Sequence, residues 1–120
     1  MSLINQGKSS RMRSVYGHNT GTSIEDVYVC PANCVSEVTF IHIVNGESSG
    51  NNTVDISWYV AADTYTSKFL NDKTISHNDS VTHNNIDLVL QAGDKIQVTP
   101  SIAGHIDTIV TVTETFIPVG

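Results

Sequence analysis

Charge is scarce in this chain: 15% of its 120 residues are Asp, Glu, Lys or Arg, and only six of those are basic. Beyond residue 22 three basic residues face twelve carboxylates, so the body has no cationic face with which to grip phosphates. That balance argues against a nucleic-acid binder. Long apolar runs are also missing, and nothing approaches the roughly 20 residues that cross a bilayer as a helix. The start, Met1-Ser2-Leu3-Ile4-Asn5, has neither the apolar core nor the cleavage site of a secretory leader, so synthesis in a cytoplasm is the expectation. Two cysteines fall short of the four ligands of a structural zinc site. Catalytic signatures are absent as well: no Gly-x-Ser-x-Gly elbow, no Walker or other Gly-rich phosphate loop, and no motif pairing two Glu residues. A non-enzymatic protein without cofactor or resident metal is expected.

Ser, Thr and Asn are abundant instead, the profile of β proteins whose solvent faces are polar but uncharged. A chain of this size is one domain and buries roughly 65% of its unfolded surface. From residue 23 it breaks into short strand-like runs separated by turn residues. Val27-Tyr28-Val29 leads into a Pro31-Ala32-Asn33 turn. Residues 35–44 are apolar in both parities at Phe40, Ile41, Ile43 and Val44, as in a strand buried on two sides. Val54, Ile56, Trp58 and Val60 alternate with polar residues, which makes Trp58 the expected centre of the core. Weaker strands are expected at 65–70 and 73–75. Ile86, Leu88 and Leu90 form one apolar face, Ile96 and Val98 another, and Val110, Val112 and Phe116 a third. Gly93-Asp94 marks the turn between the first two. Seven or eight such strands, with no segment of helical period, predict an all-β antiparallel sandwich or jelly roll.

Residues 1–22 differ in charge from the rest. Lys8, Arg11 and Arg13 give them +3, while residues 23–120 carry 3 − 12 = −9, which sums to the net −6. Without periodicity, and rich in Ser, Asn and Gly, they predict a flexible basic N-terminal arm on a sandwich spanning 23–120. Extended, such an arm reaches about 70 Å. Its functional reading is that Lys8, Arg11 and Arg13 pair with carboxylates of a partner, such as the acidic body of a sister subunit, with Tyr16 as an apolar anchor.

Three further residue sets stand out. Cys30 and Cys34 flank a three-residue turn that would put them within disulfide range, while packed free thiols are the state expected of a cytosol; both readings stay open. His77, Asp79 and His83 would share one face if they lay on one strand, a facial metal pattern, but Asn78-Asp79 is a turn signal and favours a polar loop. Tyr59, Tyr65, Asn71, Asp72 and Asn78 are the residue types with which sandwich lectins hold sugars, and Tyr65 and Asp72 are the candidate glycan contacts. Against that reading, aromatics on strands also serve as core or interface residues.

The runs Val27-Tyr28-Val29-Cys30-Pro31-Ala32, Phe40-Ile41-His42-Ile43-Val44-Asn45 and Leu88-Val89-Leu90-Gln91-Ala92-Gly93-Asp94-Lys95-Ile96-Gln97-Val98 resemble a small β-sandwich module of tailed bacteriophages. The resemblance covers residues 25–117 and marks a sandwich rather than one role. It implies a virion structural protein made in the host bacterial cytoplasm, most specifically a capsid decoration (cement) protein. It also implies a homo-oligomer, a trimer by analogy, docked on the major capsid protein or another virion protein. It transfers no catalytic residues. The alternative it leaves is a glycan- or receptor-binding module of a head or tail fibre, or a low-copy tail or connector component.

Overall fold

The computed structural model describes residues 9–117, and eight strands make up most of them. These are β1 (Ser10–Asn19), β2 (Glu25–Val29), β3 (Cys34–Asn45), β4 (Asn52–Val60), β5 (Tyr65–Ile75), β6 (Asp79–Leu90), β7 (Lys95–Pro100) and β8 (Ile106–Phe116). One sheet has the order β1-β8-β3-β6 and the other β2-β7-β4-β5, with every neighbour antiparallel. Both sheets draw strands from the two ends of the chain, which is the jelly-roll form of the predicted sandwich. Among the described residues there is no α-helix, only a 3-10 turn at Ala61–Asp63 between β4 and β5.

Alternation sets what each sheet buries. Val54 and Ile56 of β4, Ile96 and Val98 of β7, and Ile106, Val110 and Val112 of β8 close against Ile41, Ile43, Val38 and Leu90 from the facing sheet or its neighbours. Each aliphatic side chain taken wholly out of water contributes about 1.5–3 kcal/mol. Trp58 is not the centre expected of it. It lies half-buried at the edge of this cluster, and its indole Nε1 donates to Asp94 Oδ2 at 3.2 Å. The polar end of the ring needs a partner, and the middle of an aliphatic core offers none.

The two-sided apolar pattern of β3 has a different cause from the one expected. A register shift between Val38 and Phe40 reverses the strand's parity there. Cys34, Ser36 and Val38 point inward before the shift and Ile41 and Ile43 after it, while Phe40 and Val44 end up on the outside, half-exposed. The weak strands around 65–75 are one strand, β5, interrupted where its pairing with β4 slips and Asp72 adopts φ 52°.

The flexible arm predicted over residues 1–22 is corrected for the part that is described. Ser10 to Asn19 pair with β8 residue for residue, from Ser10↔Thr115 to Asn19↔Ile106. This stretch is therefore a strand of the body, and the sandwich begins before residue 23. Its composition hides the strand because the inward positions are Arg11, Arg13, Val15, Gly17 and Asn19 rather than a row of aliphatics. Gly17 suits the packing: a Cβ there would sit 3.0 Å from a methyl of Val27 on β2, which would have to give way. Lys8, like Leu3 and Ile4, lies outside the described residues.

Candidate docking surface

Three of the four candidate arm residues can be placed, and they separate. Arg11 and Arg13 turn inward, where both meet Glu114 of β8 in their own chain. Arg11 Nε donates to Glu114 Oε1 at 2.7 Å, and Arg13 Nη1 lies 3.4 Å from Oε2. The Glu114 side chain is inaccessible to water, whereas the two arginines remain about half exposed at 53% and 42%. Tyr28 of the opposite sheet donates its hydroxyl to Glu114 Oε2 at 2.5 Å and contacts Ser36 Oγ at 2.7 Å. The structure thus assigns these two cations an intrachain carboxylate, where a partner's was expected. Burial alone would raise the Glu114 carboxyl. The hydrogen bonds from Tyr28 and Arg11 and the charges of both arginines outweigh it and hold the group below its ordinary 4.5. Burial and the bond to Glu114 push the Tyr28 phenol well up.

Neither Glu114 nor Tyr28 was singled out in the sequence, although a signal existed. In Val110-Thr111-Val112-Thr113-Glu114 the carboxylate has the parity of the two valines, which puts a charge at a core position and demands a cation or donor there.

Cys30 and Cys34 are free, buried thiols on the interior side of this cluster. Cys30 Sγ lies 3.3 Å from Ser36 Oγ and 3.5 Å from the Cys34 carbonyl. Burial raises the Cys30 thiol above its ordinary 9.0 despite the Ser36 hydroxyl, so it is held as a thiol. Of the two readings of this pair, packed thiols describe the structure.

The candidate glycan residues Tyr65 and Asp72 are not brought together. Seven residues of extended β5 separate them, about 23 Å. Tyr65 stands exposed at the start of the strand. Asp72 lines a shallow cleft of about 180 Å³ with Thr53, Asp55, Thr99, Pro100 and Ser101. Asp55 in that cleft is already engaged by Lys68 Nζ at 2.8 Å and by the Asp72 amide at 2.6 Å. Burial opposes its ionisation, yet these partners hold its carboxyl below the usual 3.8. His77 lies in the β5–β6 turn, and among the described residues no three His, Cys, Asp or Glu side chains converge as a metal-binding group.

Tyr16 points the other way from the arginines, and the surface it occupies is unusual. Residues directly opposite across paired strands share a face. Four rows cross the outer face of the β1-β8-β3-β6 sheet: Met12, Thr113, Glu37, Val89; Ser14, Thr111, Phe40, Asn84; Tyr16, Ile109, His42, Thr82; and His18, Asp107, Val44, Ser80. These sixteen positions hold two carboxylates and no Lys or Arg. Tyr16 is 82% exposed and Met12 72%, with Val89 and Ile109 also open to solvent. The polar side chains bond to one another within rows: Ser14 to Thr111 at 2.8 Å, His42 to Thr82 at 2.6 Å and His18 to Asp107 at 2.6 Å.

The outer face of the other sheet is built for water. Lys95 pairs with Asp26 at 3.3 Å, Lys68 with Asp55 at 2.8 Å, and Lys95 also lies over the Tyr59 ring at 5.2 Å. Gln97 adds a bond to Asp26 at 2.8 Å. Charge is thus sorted: one sheet faces out with Lys–carboxylate pairs, the other with hydroxyls, aliphatics, Tyr16 and Phe40, and with the carboxylates Glu37, Asp107 and Asp87 unmatched by any Lys or Arg in the rows.

No family model matches the chain, and no curated protein matches it by sequence. Solved structures do share its fold. A chain of the acidic stable capsid structure of Helicobacter pylori bacteriophage KHP30 superposes with a TM-score of 0.54 at 11% identity, over 93% of this chain and 91% of that one. A chain of the Bacillus endospore appendages, described as a family of disulfide-linked pili, does so with a TM-score of 0.57 at 11% identity, over 98% and 97%. A chain of the cyanophage Pam1 capsid asymmetric unit gives 0.49 at 9% identity, over 98% and 93%, too distant to carry an argument. At such identities the likeness shows the fold, a whole jelly roll matched end to end, that occurs in a phage capsid and in a spore pilus.

Proposed function

We propose that the chain is a non-enzymatic structural component of a bacteriophage particle, a decorating or stabilising protein of the capsid. The observation that carries this reading is the outer face of the β1-β8-β3-β6 sheet, which holds no Lys or Arg in its rows and exposes Tyr16, Met12 and Ile109. In three of its four rows polar side chains are hydrogen-bonded to each other, which limits the desolvation cost of covering them, while Tyr16, Met12 and Ile109 gain from leaving water. A surface of that kind serves assembly, and the fold is shared with a chain of a phage capsid. Bound to assembled subunits but not to dissociated ones, such a protein raises the heat or force a particle withstands, by linkage. Homo-oligomers and contacts to the major capsid protein or another virion protein belong to this reading, as does residence in the virion. A linked pilus is less well supported, because the chain's two cysteines are both buried and cannot bridge copies of the folded protein.

The test is co-sedimentation of the full chain with stripped phage capsids at low and moderate salt. Saturable binding at a fixed copy number per particle, with a raised thermal disruption temperature, is the expected result. Absence of binding at both salts overturns the capsid reading, and a glycan array on the same protein then tests the fibre-module alternative. Deleting residues 1–22 is not a clean way to probe docking, since it removes β1 and uncovers Glu114.

A further inference from the structure

We propose that the open edge of β1 docks one extended segment of another protein, which adds as a further antiparallel strand and carries carboxylates opposite Arg11 and Arg13. This edge is distinct from the outer sheet face, and the proposal does not depend on the capsid reading.

Each sheet ends in two edge strands, β1 and β6 in one and β2 and β5 in the other. A long, regular edge is a template for another strand, and edges kept from pairing are shortened or bulged. Three of the four are blunted in this way. β2 has five residues and a slip between Asp26 and Tyr28. β5 slips twice against β4 and holds Asp72 at φ 52°. β6 loses register against β3 and holds Asn85 at φ 54°. Among the described residues only β1 offers an unbroken edge, ten residues in constant register with no proline, lysine or left-handed residue.

The ladder fixes which groups that edge presents. The Phe116 amide donates to the Ser9 carbonyl at 3.0 Å, so the odd-numbered residues of β1 exchange their bonds with β8. The amides and carbonyls of Ser10, Met12, Ser14, Tyr16 and His18 therefore turn to the open side, where no strand of the described residues pairs with them. An added strand bonds to these even positions, and its residues opposite Arg11, Arg13 and Val15 fall in the closer, non-hydrogen-bonded pairs on the interior side.

Charge on that interior side selects the chemistry of the segment. Two arginines share the single Glu114 carboxylate, 2 − 1 = +1, and both stay about half exposed. Arg11 spends only Nε on it and Arg13 only Nη1, so each guanidinium keeps donors for a second carboxylate. Beside them Val15 is only partly covered and takes an apolar residue. Read in its own direction, antiparallel to β1, the complementary segment is apolar-x-acidic-x-acidic. A second copy does not supply it through β1, which brings two more arginines and no carboxylate, and its other edges carry the slips.

Fluorescence anisotropy of the full chain with a labelled synthetic peptide, Thr-Val-Thr-Glu-Thr-Glu-Thr, tests this in a titration to about 500 µM. Laid from Tyr16 to Ser10, its valine meets Val15 and its glutamates meet Arg13 and Arg11. Saturable binding is expected, at least about tenfold tighter than for the same peptide with lysine in place of glutamate. On binding, the amides of Met12, Ser14 and Tyr16 become protected from hydrogen exchange, whereas those of Arg11, Arg13 and Val15 are protected already in the free chain. Ser14→Pro removes a donor from the open side and none from the ladder to β8. It is expected to weaken the peptide by about tenfold or more while the thermal melt stays close to that of the wild type. If that variant melts early, hydrogen exchange in the wild type decides alone. Absence of saturation, equal binding of the glutamate and lysine peptides, or protection at β5 or β6 instead of β1 overturns the docking site.

Discussion

Replacing Glu114 tests whether β1 is held to the body by its interior chemistry. In Glu114→Ala the Tyr28 hydroxyl loses its shortest partner and keeps only Ser36, a loss of about 1 kcal/mol. The buried methylene and carboxylate leave a small cavity worth about another 1–2 kcal/mol. Arg11 and Arg13 are half-exposed and return to water, so their ion pairs add little. The sum is about 2–3 kcal/mol, or roughly 8–12 °C in Tm for a chain of this length. Removing both arginines instead leaves the buried carboxylate with no cation and only the Tyr28 hydroxyl, and this is expected to cost at least as much as removing Glu114 itself. The two variants differ with pH. With its partners present the Glu114 carboxyl titrates below 4.5, so it contributes stability above that pH, which is lost as the pH falls through the folded value. Without the arginines the Tyr28 bond alone opposes burial, the folded value rises, and the corresponding share of the stability above 4.5 is lost. Urea unfolding at pH 7 and at about pH 4 should therefore show a large deficit for Arg11→Ala/Arg13→Ala that shrinks on acidification. A pH-independent deficit, or a Glu114→Ala cost under about 0.5 kcal/mol, would refute the account.

Asp94 offers a second check. Its carboxylate accepts from the Ala61 amide at 2.9 Å, the Gln91 amide at 3.0 Å and Trp58 Nε1 at 3.2 Å, so Asp94→Ala leaves three donors without their acceptor. About 2–4 kcal/mol of stability should go, read from the urea midpoint, with the Trp58 fluorescence maximum moving red; an unchanged midpoint would remove Asp94 from the structural argument. The thiols give a third: the native protein should react with no thiol reagent over minutes, while denaturant should release both Cys30 and Cys34, and prompt reaction of either in the folded state would contradict their burial.

The strands that could be read from the sequence are those whose interior positions are aliphatic. β4, β7 and β8 alternate cleanly, and the Gly93-Asp94 turn between β6 and β7 carries its own markers: Gly93 takes φ 87°, and the Asp94 carboxylate accepts from the Gln91 amide three residues back. β1 escaped because its inward positions hold two arginines, whose acceptor sits about a hundred residues away on β8. Local composition reports solvation, and a buried carboxylate at that distance is invisible to it. The parity of β3 misled for a comparable reason, since a bulge and a doubly buried strand leave the same mixed apolar trace. Tyr65 and Asp72, close in sequence and chemically apt, end up at different points of one strand. The row Tyr16-Ile109-His42-Thr82 combines four distant segments, and only the pairing register reveals it.

The sorting of charge between the two outer faces bears on the capsid reading. A solvated sheet is ordinarily kept soluble by mixed charges, as Asp26, Lys95, Asp55 and Lys68 do for the β2-β7-β4-β5 sheet. Threonines at 111, 113 and 115 of β8 supply β propensity without charge, and such a row suits a strand that will be covered. Tyr16→Lys, which sets a cation in the middle of that face on an 82% exposed side chain, should then weaken particle binding at least about tenfold while leaving the thermal melt of the free protein unchanged. If the variant instead binds capsids as tightly as the wild type, this face has no part in holding the protein there.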